Sequence, residues 1–324
     1  MAIVPLDQPD KEITLGISAC LMGQKVRYNG GHKRSSLCMN TLDRFFHFEP
    51  VCPEVAIGLG IPREPIRLVG TDAEQVKVLG TDNPKLDVTE QLKDYGQQQA
   101  KDLTHISGYI LMQKSPSCGM ERVKVYHPNG SPLISAPGVY AKAFMTANPL
   151  LPVEEEGRLH DPVLRENFFT RVYAFHRWHQ LVANQPAYKA IEQFHANHKY
   201  LVMAHDPQSY TRLGQLVAQG SAISITQMQE QYFSGFMATL TKKANRKSHT
   251  NAMLHILGYV KKTVDSTERK QLLKLIEEYR QGILPLVAPM SMLRHFIANH
   301  GNDYIQQQVY LEPHPDQLGL RNHI

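Results

Sequence analysis

The chain has 324 residues, 42% hydrophobic and 20% charged, with a formal net charge of +5 and a pI near 8.9. That length exceeds one typical core and suits two domains. No stretch of about eighteen residues is uninterruptedly apolar, which excludes a helical bilayer span, and the opening MAIVPLDQPDKE lacks the basic start and apolar segment of a secretory signal, so a cytoplasmic, reducing setting is expected.

In chain order, Ile13 to Ile17 alternates apolar residues and runs into Ser18-Ala-Cys-Leu-Met-Gly23, a strand ending in a tight loop at Cys20. Ser36 to Phe46 has helical spacing, and Phe48 to Glu54 reads as a short strand and a proline-punctuated loop carrying Cys52. A hairpin-like stretch spans Ile66 to Leu79, and an amphipathic helix is expected over Thr89 to Leu103, capped by Asp87 or Thr89. Ile106 to Gln113 is a buried strand followed by the turn Ser115-Pro-Ser-Cys-Gly119. Strands alternating with helices predict an α/β fold, a parallel, Rossmann-like doubly wound sheet whose functional loops gather at the carboxyl ends of its strands. Prolines and an acidic run over 147–162 read as a linker, with the boundary near 155, giving domains over 1–150 and 160–320. Beyond it the spacing predicts an all-α domain with helices near 162–183, 186–205, 224–243, 248–264, 267–281 and 289–299.

The four cysteines, at 20, 38, 52 and 118, are too few and too one-sided for a disulfide scaffold. Cys20, Cys52 and Cys118 each follow a strand in a loop with glycine or proline nearby, where backbone can approach a bulky inorganic ligand. Their separations are not the close pairs of a zinc ribbon or ferredoxin, and thiolates suit zinc and iron-sulfur clusters alike. Three cysteines can hold a four-iron cluster with one iron left open as a Lewis acid. Cys38 lies in a helical stretch beside Leu37 and Leu42 and reads as packing. Glu54 is a candidate general base, and Ser115 and Ser117 are candidate hydrogen-bond or proton donors. The alternatives are a loop salt bridge for Glu54 and turn hydrogen bonds for the serines.

Ser18-Ala-Cys-Leu-Met-Gly with Val26-Arg-Tyr-Asn-Gly-Gly-His32, Pro50-Val-Cys-Pro-Glu54 with Gly58-Leu-Gly-Ile-Pro-Arg63, and Ser115-Pro-Ser-Cys-Gly119 together resemble the bacterial thiouracil desulfidase family over about residues 13–145. The resemblance implies a 4Fe-4S cluster held by three cysteines, matching Cys20, Cys52 and Cys118. It implies that the open iron takes the thiocarbonyl sulfur of a thiolated pyrimidine while water replaces it, with Glu54 and Ser115 as the catalytic pair and Ser117 a contender. Arg165-Glu-Asn-Phe, His195-Ala-Asn-His-Lys-Tyr-Leu, Tyr210-Thr-Arg-Leu-Gly214 and Asn251-Ala-Met-Leu-His-Ile-Leu-Gly-Tyr259 resemble a second family, of unknown function. Proteins joining the two domains resemble tRNA 4-thiouridine desulfidases, which implies release of hydrosulfide and a thiolated tRNA partner.

From Thr241 to Arg280 ten Lys or Arg stand against four acidic residues, an excess of six. Lys242, Lys243, Arg246 and Lys247, with Lys261 and Lys262 expected on a nearby helix, form a candidate phosphate-tracking surface; the alternative is a solvated charged face. The pairs His176/His179 and His195/His198 share helical faces but have no accompanying carboxylate pattern, so packing, capping or RNA contact is expected rather than metal. The leading functional reading is a tRNA 4-thiouridine desulfidase that presents an extruded base to the cluster. The alternatives are a desulfidase of free thiouracil or thiouridine and a non-catalytic iron-sulfur sensor that contacts RNA.

Overall fold

The computed structural model describes residues 12–72 and 75–324; most of the opening segment MAIVPLDQPDKE lies outside the described residues. The chain divides into two compact units, Met1–His160 and Asp161–Ile324. Among the described residues no helix is long and apolar enough to cross a membrane.

Unit 1 contains β1 (Ile13–Ser18), β2 (Phe46–Val51), the one-turn helix α1 (Pro53–Ala56), β3 (Ile66–Val69), β4 (Lys77–Gly80), α2 (Thr89–Asp102), β5 (Tyr109–Leu111), β6 (Val123–Tyr126), β7 (Pro132–Ala136), α3 (Val139–Ala147) and β8 (Val153–Glu155). One sheet runs in the order β2-β1-β5-β8, every pair parallel. Its central strands are mostly apolar, because a parallel strand covered on both faces has no solvent side: Leu15, Ile17, Ile110 and Leu111 are fully buried. Gly96 lets α2 and α3 close together, since a Cβ there would stand 2.7 Å from the Tyr140 carbonyl oxygen. Tyr109, Tyr140 and Phe144 interlock edge-on and stacked beneath the sheet. The expected cap of α2 by Asp87 or Thr89 is corrected: its N-cap is Val88, which carries no side-chain cap, and Asp87 Oδ1 accepts from the Thr89 N–H at 3.0 Å just ahead of it.

The second sheet, β4-β3-β6-β7, is mixed: β3 pairs antiparallel with β4 and parallel with β6, and β6 pairs antiparallel with β7. Sequence spacing shows the β3/β4 hairpin but not β6 and β7. The expected helix over Ser36 to Phe46 is reduced to two helical turns, Leu37–Thr41 and Leu42–Arg44, because Phe46 already begins β2. The linker reading of 147–162 is also corrected. Val153, Glu154 and Glu155 are buried as an edge strand, with Tyr109, Ile110 and Leu111 as register partners.

Unit 2 is all helical: α4 (Pro162–Ala183), α5 (Tyr188–His205), α6 (Pro207–Val217), α7 (Ile225–Thr241), α8 (Arg246–Val260), α9 (Ser266–Arg280), α10 (Val287–His300) and the single turn α11 (Asp303–Gln306). The spacing locates the six long helices other than α6. That helix is hidden because Asp206 ends α5 and also caps α6 ahead of Pro207, so the junction reads as a break. Trp178 stacks on Phe233 at 5.4 Å and on Tyr232 at 5.3 Å, fixing α4 against α7. Glu166, His249, His314 and Arg321 form a buried polar group in this unit.

Candidate active site

All strands of the first sheet run parallel, so the segments that follow β1, β2 and β5 leave from one edge, and the order β2-β1-β5 reverses direction at β1. Such a switch point opens a crevice outside the carboxyl ends of the strands. Cys20 lies two residues beyond β1, Cys52 directly follows β2, and Cys118 closes the loop after β5. All three line one cavity of about 460 Å³, together with Ser18, Glu54, Arg63 and Ser115. The sequence-predicted cysteines thus converge, while Cys38 is buried elsewhere, its N–H donating to Ser35 Oγ.

The chemistry of this donor set suits a polynuclear iron group. Burial pushes the Cys20 thiol up to about 11, with the neighbouring Cys52 adding to the rise. Burial likewise raises Cys52 and raises Cys118 well above the ordinary thiol value. Three sulfurs, one buried and two half-buried, that repel one another as thiolates call for a cationic partner. Among the described residues no three His, Cys, Asp or Glu side chains are grouped as a single metal ion requires. Thiolates from three separate loops around one cavity are a donor set that can hold an iron-sulfur cluster, one thiolate to an iron.

Glu54 sits on the turn after Cys52 and is held from two sides. Ser117 Oγ donates to Oε1 at 2.9 Å, while Arg63 donates to Oε2 from Nε at 3.1 Å and from Nη2 at 2.5 Å. The Arg63 side chain is only 4% exposed and also donates to the carbonyls of Val26 and Gly60. Arg63 has no role in the sequence reading, although the run Gly58-Leu-Gly-Ile-Pro-Arg63 is part of the pattern. Gly58 and Gly60 have φ of +88° and +73°, and this left-handed turn returns Arg63 to Glu54. The salt-bridge alternative for Glu54 is therefore present in the same geometry that places it at the cavity.

The two serines differ. Ser115 Oγ accepts from the N–H groups of Ser117 at 3.3 Å and Cys118 at 3.1 Å, so it shapes the third loop and also faces the cavity. Ser117 is fully buried and its proton is committed to Glu54. Behind the loop, Glu155 Oε1 accepts from the Met120 N–H at 2.8 Å. A Cβ at Gly138 would lie 2.5 Å from the Ser117 carbonyl oxygen. Gly138→Ala should cost about 1–3 kcal/mol by this overpacking, read as a lower Tm together with less iron retained per chain.

Residues 15–156 match the family model described as 2-thiouracil desulfurase. Over that segment the chain belongs to the 2-thiouracil desulfurase family. Residues 199–315 match a second model, described as a protein of unknown function, DUF1722. Among curated proteins, the uncharacterized protein YbgA of Escherichia coli (strain K12) is 33% identical over 153 residues, 47% of this chain and 90% of the relative. The uncharacterized protein YbbK of Bacillus subtilis (strain 168) is 34% identical over 113 residues, 32% of this chain and 71% of the relative. A solved structure titled 4Fe-4S-dependent thiouracil desulfidase TudS is 31% identical, covering 47% of this chain and 95% of its own, with a TM-score of 0.34.

The 2-thiouracil desulfurase segment contains every cavity residue described above, from Ser18 to Cys118. The expected phosphate-tracking surface lies outside it and is not one patch. Lys242 and Lys243 precede α8 while Lys261 and Lys262 follow it, so the two groups stand about 22 Å apart along a fifteen-residue helix. Lys242 is paired with Asp206 at 2.6 Å, and Arg246 donates to the carbonyls of Tyr279 and Leu284 with its guanidinium 4.8 Å from the Tyr279 ring centroid. Lys242, despite its pairing, and Lys243, Lys247, Lys261 and Lys262 are exposed. The helical histidines pack: His179 lies tilted against Phe175 at 4.3 Å, His195 Nδ1 meets the Tyr232 hydroxyl at 3.2 Å, and His198 Nδ1 donates to the Phe194 carbonyl at 2.7 Å.

Proposed function

We propose that this protein is a 4Fe-4S-dependent desulfidase that converts 4-thiouridine in tRNA to uridine and releases hydrosulfide. The observation that carries the reading is the convergence of Cys20, Cys52 and Cys118 on one cavity that also presents Glu54. When bound by three thiolates, such a cluster supplies an iron without a protein ligand, a Lewis acid for the thiocarbonyl sulfur. The net change exchanges the C=S sulfur for a water oxygen, giving C=O and hydrogen sulfide, so no external reductant enters.

The chain's own residues supply positioning and proton transfer. With Oε1 accepting from Ser117 and Oε2 accepting twice from Arg63, the Glu54 carboxylate is oriented and keeps a lone pair on Oε1 free to take a proton from the attacking water. Ser115 Oγ already accepts two backbone N–H groups, which leaves its own proton to donate into the cavity. Ser117 is on this reading a positioning residue. The duplex-stacked base must be extruded to enter the cavity.

The test is anaerobic reconstitution of the full chain, then incubation with tRNA containing 4-thiouridine while following its near-ultraviolet band and assaying sulfide. Loss of the band with stoichiometric sulfide is the expected result. An intact cluster that desulfidates free thiouracil but leaves the tRNA untouched would transfer the reading to free bases; inertness towards both would overturn it.

A further inference from the structure

The inference drawn here takes the thiolated-RNA reading as its premise and concerns the second sheet of unit 1. We infer that the outer face of β3 and β6 is a platform for the single-stranded RNA flanking the thiolated base, leading directly into the cysteine cavity. A second cavity, of about 510 Å³, lies over these strands and shares Ile66, Lys114 and Pro116 with the first as a common wall. Leu68 and Val125 are register partners and fully buried. Because side chains alternate along a strand, Arg67, Lys124 and Tyr126 stand together on the opposite face, and all three line the second cavity.

Charge and aromatic content identify the occupant. Arg67, Lys114, Arg122 and Lys124 line the second cavity with no Asp or Glu among its lining residues. Arg27, Lys33 and Arg63 continue the basic wall in the first, whose one carboxylate, Glu54, is already paired with Arg63. Arg67 Nε is buried without a hydrogen-bond partner, and the guanidinium lies 5.4 Å from the Tyr126 ring centroid. A cationic groove with an aromatic face is how sequence-tolerant single-strand binding is built: phosphates follow the cations and a base stacks on the ring. A neutral free base would need none of this. Lys114, at the shared wall, has a left-handed backbone with φ of +59°, a conformation that lysine rarely adopts and that places this cation at the junction of the two cavities.

The experiment measures binding of a fluorescent unmodified single-stranded oligouridylate to the full chain over a range of salt concentrations. The double variant Arg67→Gln/Lys124→Gln should bind at least about tenfold more weakly at low salt, and its log-log salt slope should be shallower by about 1.4, at about 0.7 per phosphate contact. Tyr126→Ala should lose about 5- to 100-fold through stacking. Lys124→Gln alone, at an exposed position, gives a reading free of any folding effect, and its slope should fall by about half as much. Thiolated tRNA that is turned over while these variants bind and react like the parent would overturn the platform and leave the proposed function standing. Weakened oligouridylate binding in a protein that does not desulfidate tRNA would support the platform while sinking the substrate reading. Binding abolished only by changing Lys243, Lys247, Lys261 and Lys262 would also overturn it.

Discussion

A Glu54→Gln protein is expected to keep its iron and lose about 10²- to 10⁴-fold in desulfidation rate, the usual contribution of a positioned proton acceptor. The amide retains the shape of the carboxylate; its one carbonyl oxygen can still accept from Arg63, while the Ser117 hydroxyl can turn to accept from the amide N–H, so the loop should stay ordered; what disappears is the base. Replacing Cys20, Cys52 or Cys118 with Ala should instead remove iron and activity together, because each side chain lines the cavity and each replacement removes one of the three thiolates. Iron per chain and the visible absorption of the reconstituted protein separate the two classes. A Glu54→Gln protein with a full cluster and the parental rate would remove Glu54 from the chemistry and leave it as Arg63's structural partner.

The second large effect is acid unfolding of unit 2. Burial holds His198 and His249 down to about 3, and it also lowers His205 and His314. The folded unit therefore keeps these rings neutral, whereas the unfolded chain protonates them below about pH 6.5. Stability is greatest above that value and falls as the pH drops, by up to about 1.4 kcal/mol per pH unit for each histidine. Two such residues remove several kcal/mol within two pH units, a large share of a typical domain's total. Glu166 acts in the same direction at lower pH. Burial alone would raise its carboxyl, but the His314 ring 3.8 Å away and the Arg321 guanidinium override this and hold it far below the usual range. Its contribution is present above about pH 4.5 and is lost as the pH falls through its folded value.

Trp178, the only tryptophan of the chain, is buried in this unit, so its fluorescence reports unit 2 alone. The emission is expected to shift as the pH falls from 6.5 towards 4, with the urea midpoint declining steadily on the way. A midpoint unchanged from pH 7 to 4.5 would show the histidines to be protonated in the folded state. Glu166→Ala should cost about 3–5 kcal/mol at neutral pH by stranding a buried guanidinium. Arg321 Nε lies 3.6 Å from Glu166 Oε1, an ion pair too long for a hydrogen bond, with both side chains less than a tenth exposed.

The cysteine loops were legible because each follows an apolar, β-rich run broken by glycine or proline, a pattern that fixes both the strand and its exit. The parallel sheet and the long helices were legible for the same reason of period. Arg63 was not, because its role depends on two positive-φ glycines that fold nine residues of chain back on Glu54. Strands β6 and β7 escaped because they are short and β7 is mostly exposed, which leaves it no apolar alternation to read. The basic run near α8 looked like one surface in sequence, but helix geometry separates its halves and tertiary partners occupy Lys242 and Arg246.

The edge strand β8 also sets how the enzyme can be dissected. Glu155 reaches from that strand to the backbone of Met120, next to the third cysteine loop. A fragment ending at residue 150 would leave β5 as a bare, exposed sheet edge prone to self-association and would release the Cys118 loop. A minimal desulfidase domain intended for expression on its own, or for grafting onto a different domain, should therefore run through His160, where the first compact unit ends.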